Sequence, residues 1–414
     1  MSADAEPRFS RGTHAWLVVG LLWPVALLNY LDRQLVSTMK RSIMADLPSI
    51  ATEENFGRIM AIFMWVYACF SPAGGYLADR FNRRWMVIGS LGVWSLFTWL
   101  TGHVHSFEQM WWVRAAMGVS EACYIPAALA LIADFHQGAT RSRAVGIHQT
   151  GIYAGQALGG IGGVIADSAF GWRAAFSWFG LAGICYAALL LFSLPGAPRA
   201  VIGEEKKERL VSIGRTLAGL LGVGSFLLLV VHFTLPALSG WVVKNWMPSV
   251  LADTFHLGQG KAGFSATLYV TFASLVGALL GGAVADRWMR VTSRGRIFAS
   301  ALGVGLCIPA LFGVGFAPSL AVAIACLVLF GIGWGFFDAN NMPILCQIVR
   351  PEYRATGYGI MNMVSISGGA WVTVKMGAMR DHGTPTSTIF SLCAVAAAIS
   401  IVLVLLIRPK PTDA

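Results

Sequence analysis

Stretches of about 20 predominantly apolar residues, long enough to cross a bilayer as helices, recur from one end of this chain to the other. Twelve can be marked in the 414 residues, near 15–36, 56–78, 85–102, 107–133, 144–166, 173–193, 219–250, 262–285, 297–316, 319–348, 356–379 and 387–407, numbered here as spans 1 to 12. In hydrocarbon each backbone N–H and C=O has to be satisfied within its own segment, which makes such runs helices. Only 12% of the residues are charged, about half the share usual in soluble domains. The longest polar stretch, near 194–215, reads as a linker, and no soluble domain fits in the remainder. The expectation is an all-α membrane protein. Span 1 exceeds the length of a signal-peptide core and carries Asp32-Arg33 near its end, so it reads as a retained helix.

The net charge of +10 would suggest nucleic acid in a soluble protein, but its distribution argues otherwise. With the N-terminus in the cytoplasm, the even-numbered loops and both tails hold twenty of the thirty Lys and Arg residues, among them Arg80, Arg83, Arg84, Arg287, Arg290 and Arg354. The opposite face holds six: Lys40, Arg41, Arg58, Arg173, Lys261 and Arg380. Such asymmetry is the positive-inside rule. Both termini are expected in the cytoplasm, the expected location is a bacterial inner (plasma) membrane, and no nucleic-acid partner is implied. All seven cysteines fall in the spans without metal-ligand spacing and read as small buried apolar residues.

Seven ionisable residues interrupt the spans: Asp32, Arg33, Arg114, Glu121, Lys244, Asp338 and Lys375. A charge at the bilayer centre costs about 2.5–3.5 kcal/mol on insertion scales, so these residues either line an internal cavity or pair with one another. Four bases face three acids; with Glu121 protonated the excess is two positive charges, which suits an anion. Arg114 and Glu121 are seven apart, two turns along one face of span 4, and Tyr124 extends the stripe. Pro126 interrupts the backbone bonding one turn beyond Glu121 and permits a bend.

The two halves repeat. Gly74-Gly75-Tyr76-Leu77-Ala78-Asp79-Arg80 matches Gly281-Gly282-Ala283-Val284-Ala285-Asp286-Arg287 with five identities in seven positions, at a shift of 207, half the chain. Gly118, Glu121 and Pro126 likewise correspond to Gly335, Asp338 and Pro343, and Arg143-Ala144-Val145-Gly146 to Arg354-Ala355-Thr356-Gly357. Six spans per half in the same orientation are the parallel repeat of a two-bundle transporter with its site between the bundles. The expected units are residues 1–193, a cytoplasmic linker at 194–215, and residues 216–414.

On this repeat, and on the loop Gly75-Tyr76-Leu77-Ala78-Asp79-Arg80-Phe81-Asn82-Arg83-Arg84, the chain resembles the major facilitator superfamily over essentially its whole length. The resemblance implies 12 transmembrane helices in two six-helix bundles. Asn82 stands where the superfamily pattern has glycine, and asparagine also tolerates a left-handed backbone. Asp79, Arg80, Arg84, Asp286 and Arg287 read as gating residues. A carboxylate at a helix end bonds free backbone N–H groups and nearby arginines, here latching the cytoplasmic side of an outward-open state.

Asn29-Tyr30-Leu31-Asp32-Arg33 in span 1, with Arg114, Gly118, Glu121 and Pro126 in span 4 and Gly171-Trp172-Arg173-Ala174-Ala175-Phe176 opening span 6, is similar to the anion:cation symporters of sugar acids and related organic anions. That resemblance implies that Asp32 and Glu121 carry protons and that Arg33 meets the anion. The spinster-like lysolipid and sphingolipid transporters share the Asp-Arg and Glu positions, so a carrier of amphipathic lipid is the second reading. Gln156 in span 5 stands where superfamily antiporters have proline, which favours symport. Gly151, Gly155, Gly159 and Gly160 form a small-residue stripe that lets span 5 approach another helix closely.

The expected cycle follows from the charges. A proton from outside neutralises Glu121 and frees Arg33 for the substrate carboxylate; the loaded carrier rocks inward; Glu121 and Asp32 release protons, and Arg33 recaptures Glu121. The bland alternative is an Arg33–Glu121 or Arg114–Asp32 pair that only staples helices. In the second half Lys244, between Trp241 and Trp246, has no obvious acidic partner and reads as an anion contact. Asp338 and Lys375 read either as a structural pair or as part of the site. Tyr30, Arg114, Tyr124, Gln149, Asn245 and Asn341 complete the expected substrate contacts, and His148 is either packing or cavity lining. The expected protein is a monomeric proton-coupled secondary active transporter importing a small organic anion. Its expected partners are that anion, protons and the bilayer. No metal or cofactor is implied, and with no nucleophile–base pair an enzyme is not expected.

Overall fold

The computed structural model describes residues 11–136, 140–196, 213–350 and 353–409, and every regular element among them is helical. Residues 197–212 of the expected linker lie outside the described residues. Spans 1 to 4 are Arg11–Thr38, Glu53–Arg80, Arg83–Thr101 and Phe107–Phe135. Span 5 is Arg141–Leu158 continued by Ile161–Asp167, and span 6 is Gly171–Ser193. The second six are Gly224–Thr254, Gln259–Met289, Gly295–Gly315, Leu320–Ile348, Arg354–Asp381 and Thr386–Leu405. By length and composition nine of these rods can cross a membrane, and spans 3, 5 and 11 complete the two sets of six.

Local chemistry sets where the rods begin and break. Thr52, Ser106 and Ser319 open spans 2, 4 and 10 by accepting hydrogen bonds from the backbone N–H of Asn55, Gln109 and Val322, which satisfies otherwise orphaned donors. Asn82 acts in the same way. Its backbone is extended rather than left-handed (φ −64°), and its side chain accepts from the Arg84 N–H, so it holds its turn as a helix cap and not as a glycine substitute. Span 4 breaks at Ala122–Cys123, between Phe107–Glu121 and Tyr124–Phe135. Pro126 has no N–H to offer the Ala122 carbonyl four residues back, which accounts for the expected bend.

The repeat marks the places where backbones touch. A Cβ on Gly74 would sit 2.4 Å from the Ala122 carbonyl oxygen, and one on Gly281, its counterpart, 2.6 Å from the Phe336 Cα. Gly118 and Gly335 make the reciprocal approaches of span 4 to span 2 and of span 10 to span 8. Most of the span 5 stripe lies against span 1: added Cβ atoms would come within 2.7 Å of the Trp23 carbonyl oxygen at Gly151 and 2.2 Å of the Leu27 carbonyl oxygen at Gly155, whereas Gly160 faces Phe264 of span 8. Gly155→Val is therefore expected to cost about 1–3 kcal/mol through overpacking, checked as a lower melting temperature and reduced monodisperse yield in detergent.

The molecule has a basic end, where span 1 begins and span 12 ends, and a far end. At the far end the two halves are pressed together: Gly57 meets the Thr373 backbone, Gly377 meets Glu53, Gly160 meets Phe264 and Gly163 meets Gln259. Leu31, Leu35, Met39, Phe56 and Trp172 join Trp246, Met247, Phe330 and Met376 in one buried apolar cluster across the interface. Toward the basic end Gly75, Gly146, Gly282 and Gly359 have no atom within 4 Å of where a Cβ would stand. Among the described residues, every side-chain hydrogen bond that crosses between the halves lies from mid-height to the far end, from Trp65–Ser367 to Arg41–Asp253. The protein is closed at the far end and open at the basic end.

Candidate functional site

A cavity of about 450 Å³ lies between the halves. Helical spacing brings its lining residues into place. Tyr30, Arg33 and Gln34 share one face of span 1, Gln149 and Tyr153 one face of span 5, Trp241 and Lys244 one face of span 7, and Trp334 and Asp338 one face of span 10. Tyr67, Tyr358 and Asn362 add walls from spans 2 and 11.

Behind the span 1 wall sits a sealed cluster of two acids and two bases. Arg33 Nε donates to Glu121 Oε2 at 2.6 Å, with Glu121 wholly buried and the arginine side chain 12% exposed. The guanidinium lies 4.6 Å from the Tyr30 ring centre and 4.5 Å from that of Tyr67. Arg33 thus stands between Glu121 and the cavity. Asp32 is buried and accepts from the Thr98 hydroxyl at 3.0 Å. Arg114 is buried too, its guanidinium 4.6 Å from the Phe63 ring centre and donating to Met117 Sδ at 3.4 Å, with no carboxylate in ion-pair contact among the described residues. Among the described residues, Asp32 Oδ1, Arg33 Nη2 and Arg114 Nε have no hydrogen-bond partner. Unpaired polar atoms at this depth are costly. They leave room for a rearrangement in which protons and guanidinium groups change partners.

Other expected contacts are placed differently. Tyr30, Gln149 and Lys244 line the cavity, whereas Arg114, Tyr124, Asn245 and Asn341 do not. Tyr124 is fully buried inside the first half, its hydroxyl 3.2 Å from the Leu22 carbonyl oxygen and 2.9 Å from His148 Nε2. A hydroxyl has one proton to give, so donation to Leu22 makes His148 Nε2–H the donor in the second contact. His148 is buried beside Tyr124 and is not among the residues that line the cavity. Asn245 donates to Thr373 Oγ1 at 2.9 Å, and Asn341 is buried with neither amide atom hydrogen-bonded among the described residues. Asp338 and Lys375 are not brought together. Asp338 faces the cavity, while Lys375 is exposed outside it with its ammonium 6.0 Å from the Trp371 ring centre. Position 375 is two turns from the far end of span 11, close enough for a lysine stem to reach the membrane interface. Lys244 has no acidic partner among the described residues; its ammonium lies 5.4 Å from the Tyr30 ring centre and 5.3 Å from that of Trp241.

Of the residues expected to gate the basic end, Arg80, Asp286 and Arg287 are exposed and the Asp79 side chain lies outside the described residues. Arg84 donates to the Leu191 carbonyl at 2.5 Å, within its own half. Among the described residues, the ion pairs that join the halves are at the other end: Arg41 donates to Asp253 at 2.9 Å and Arg380 lies 3.4 Å from Glu53, while Arg380–Asp253 at 2.6 Å and Lys40–Glu53 extend the same cluster within each half. Two carboxylates cap helices of the opposite half: Asp381 accepts from the Glu53 and Glu54 N–H groups and Asp167 from the Gly260 N–H, all at 2.9 Å. The first caps span 2 from the end of span 11; the second caps span 8 from the end of span 5. The two caps are related by the same internal repeat as the loops. Among these residues only Lys40, Arg41 and Arg380 stood out in the sequence, and only as the sparse charges of that face.

Gln34 and Tyr67 were also not singled out as site residues. Gln34 Nε2 donates to the Lys244 carbonyl at 2.8 Å, tying span 1 to span 7 beside the cavity. Its position next to Asp32-Arg33 was the available signal. Tyr67 is one of many aromatic residues in the spans, and nothing in its local sequence distinguishes it.

The family model of the Major Facilitator Superfamily matches residues 22–373. Among curated relatives, an "MFS-type efflux pump" of Mycolicibacterium smegmatis is 30% identical over 286 residues, 66% of this chain and 63% of that protein. "Protein spinster homolog 1" of Rattus norvegicus is 28% identical over 73% of this chain and 60% of its own length. The chain thus spans under two thirds of these relatives. Solved structures share the fold at low identity. A bacterial homologue of the human lysosomal transporter Spinster, inward-facing and unoccupied, superposes with a TM-score of 0.76 at 18% identity, covering 97% of this chain and 96% of that one. The inward-open xylose transporter XylE from E. coli gives 0.75 at 18% identity, covering 96% and 97%.

Proposed function

The chain belongs to the Major Facilitator Superfamily, and from that premise we propose that it is a proton-coupled secondary active transporter that imports a small organic anion by alternating access. The carrying observation is the 2.6 Å Arg33–Glu121 bond at the wall of the cavity, with the carboxylate sealed behind the guanidinium. While Glu121 is ionised, Arg33 is neutralised by it. When Glu121 takes a proton, the attraction holding the guanidinium lapses, and an anion in the cavity can take its place as a charge-assisted partner. Asp32, one residue away and bonded to Thr98, is the second proton carrier. Lys244 supplies a further positive charge from the opposite half. The basic end is the cytoplasmic end, the membrane is the bacterial inner membrane, and the unit is a monomer. The described conformation is then inward-open, and its far-end ion pairs and caps must break for the carrier to face outward. Asp79, Arg80, Arg84, Asp286 and Arg287 would close the basic end in that state.

The test is uptake of labelled gluconate into proteoliposomes under an imposed inward proton gradient. Accumulation above equilibrium that collapses with a protonophore supports the reading; gradient-independent equilibration would overturn it. A hydrogen bond from a charged group contributes about 1.5–3 kcal/mol. Lys244→Gln is accordingly expected to raise KM at least about tenfold with a smaller change in kcat. A second reading, a spinster-like carrier of amphipathic lipid, is favoured by the spinster relatives. It predicts that lysophospholipid, and not gluconate, is carried in the same assay.

A further inference from the structure

Every charge in the first half's buried cluster has an opposite charge near it, but the other cavity wall carries a carboxylate facing nothing. Asp338 is exposed to the cavity and has no ion pair or hydrogen bond among the described residues. Trp334 stands one turn away on the same helix face, and Tyr153 and Tyr358 are near enough to feel its charge. A carboxylate beside aromatic faces repels an anion and attracts a cation, which ring quadrupoles also favour.

The position of Asp338 relative to Lys244 adds a second constraint. Spans 7 and 10 touch where Gly240 meets Trp334; a Cβ on Gly240 would be 2.4 Å from that ring. Lys244 lies four residues from this contact toward the far end, and Asp338 four residues from it toward the basic end. At 1.5 Å per residue their backbones are offset by about 12 Å along the axis. The spans are antiparallel and each Cα–Cβ bond tilts toward its own helix N-terminus, so the two side chains lean toward each other's level. The cavity thus presents an unpaired cation and an unpaired anion across a wall of aromatic rings.

We propose that Asp338, with Trp334, Tyr153 and Tyr358, forms a second subsite for a cationic group, and that the transported organic anion also bears such a group. Its anionic group meets Lys244 and Arg33, and its ammonium or quaternary ammonium meets Asp338. The proposal rests on the reading of Lys244 and Arg33 as anion contacts, and three probes separate the two claims. Tetramethylammonium, hexanoate and 6-aminohexanoate are titrated into the full-length protein in detergent, and binding is read by tryptophan quenching. Tetramethylammonium is expected to bind saturably, about tenfold or more weakly in Asp338→Asn, and no more weakly in Lys244→Gln. The zwitterion is expected to bind tighter than hexanoate by a margin that disappears in Asp338→Asn. Unsaturable tetramethylammonium binding, or equal binding by wild type and Asp338→Asn, overturns the cationic subsite. Hexanoate binding indifferent to Lys244→Gln overturns the anion site and leaves the Asp338 result readable on its own.

Discussion

Glu121→Gln is expected to abolish uphill uptake while leaving substrate exchange intact. Glutamine keeps the shape and can still accept from Arg33, but it neither carries a proton nor attracts the guanidinium as an anion does. With one proton moved per monovalent anion, a one-unit pH gradient supports about tenfold accumulation. In the variant that ratio falls to about 1, and counterflow between loaded and external substrate, which needs no net proton movement, continues. The measurement is paired uptake and counterflow in the same proteoliposomes. Undiminished accumulation would show that the Arg33–Glu121 pair is a structural staple, and loss of both activities would show that Glu121 acts in binding or folding instead.

Removing the two cross-half helix caps is expected to open the far end. Asp167 and Asp381 each accept from backbone N–H groups of the opposite half, and losing a cap costs about 1 kcal/mol. The caps sit on different helix pairs, so their effects should add. Asp167→Ala with Asp381→Ala is worth about 2 kcal/mol, a roughly thirtyfold shift away from the state closed at that end. Spin labels at Phe170 and Phe316, exposed residues of opposite halves near the far end, should report a longer distance population in the double variant. Each single variant should give an intermediate distribution. An unchanged distance distribution would mean that the apolar cluster around Trp246 and Phe56, not the caps, holds this end shut. The ion pairs around Asp253 are a weaker lever, because Asp253 is 39% exposed and exposed pairs contribute about 0–1 kcal/mol.

The fold was legible because its signals are local or repeated. Apolar runs of bilayer length dictate rods, and Pro126 marks where one of them bends. The matched glycines at 74 and 281 and at 118 and 335 appear twice because each half solves the same packing problem between its own neighbouring helices. The Arg33–Glu121 contact was legible too, since a buried acid and base in a membrane protein have few alternatives to each other. The assignments that went astray involve direction. Tyr124 follows Glu121 along one stripe, yet the break at Ala122–Cys123 turns it into the bundle toward His148 and Leu22. Lys375 sits in an apolar run like Lys244, but near the end of its helix, where its side chain is exposed outside the cavity.

What this chain's sequence decided alone is the membrane, the number and order of its rods, their doubling, and which charges would be too costly to leave in lipid. Hydrocarbon enforces those outcomes segment by segment, whatever the neighbours do. Which face each rod presents, which end is shut, and which of the inward charges meet across the gap were decided by tertiary structure. Those outcomes depend on distances of a few ångströms between residues as far apart as Asp167 and Gly260 or Glu53 and Asp381, and no local pattern encodes such a distance.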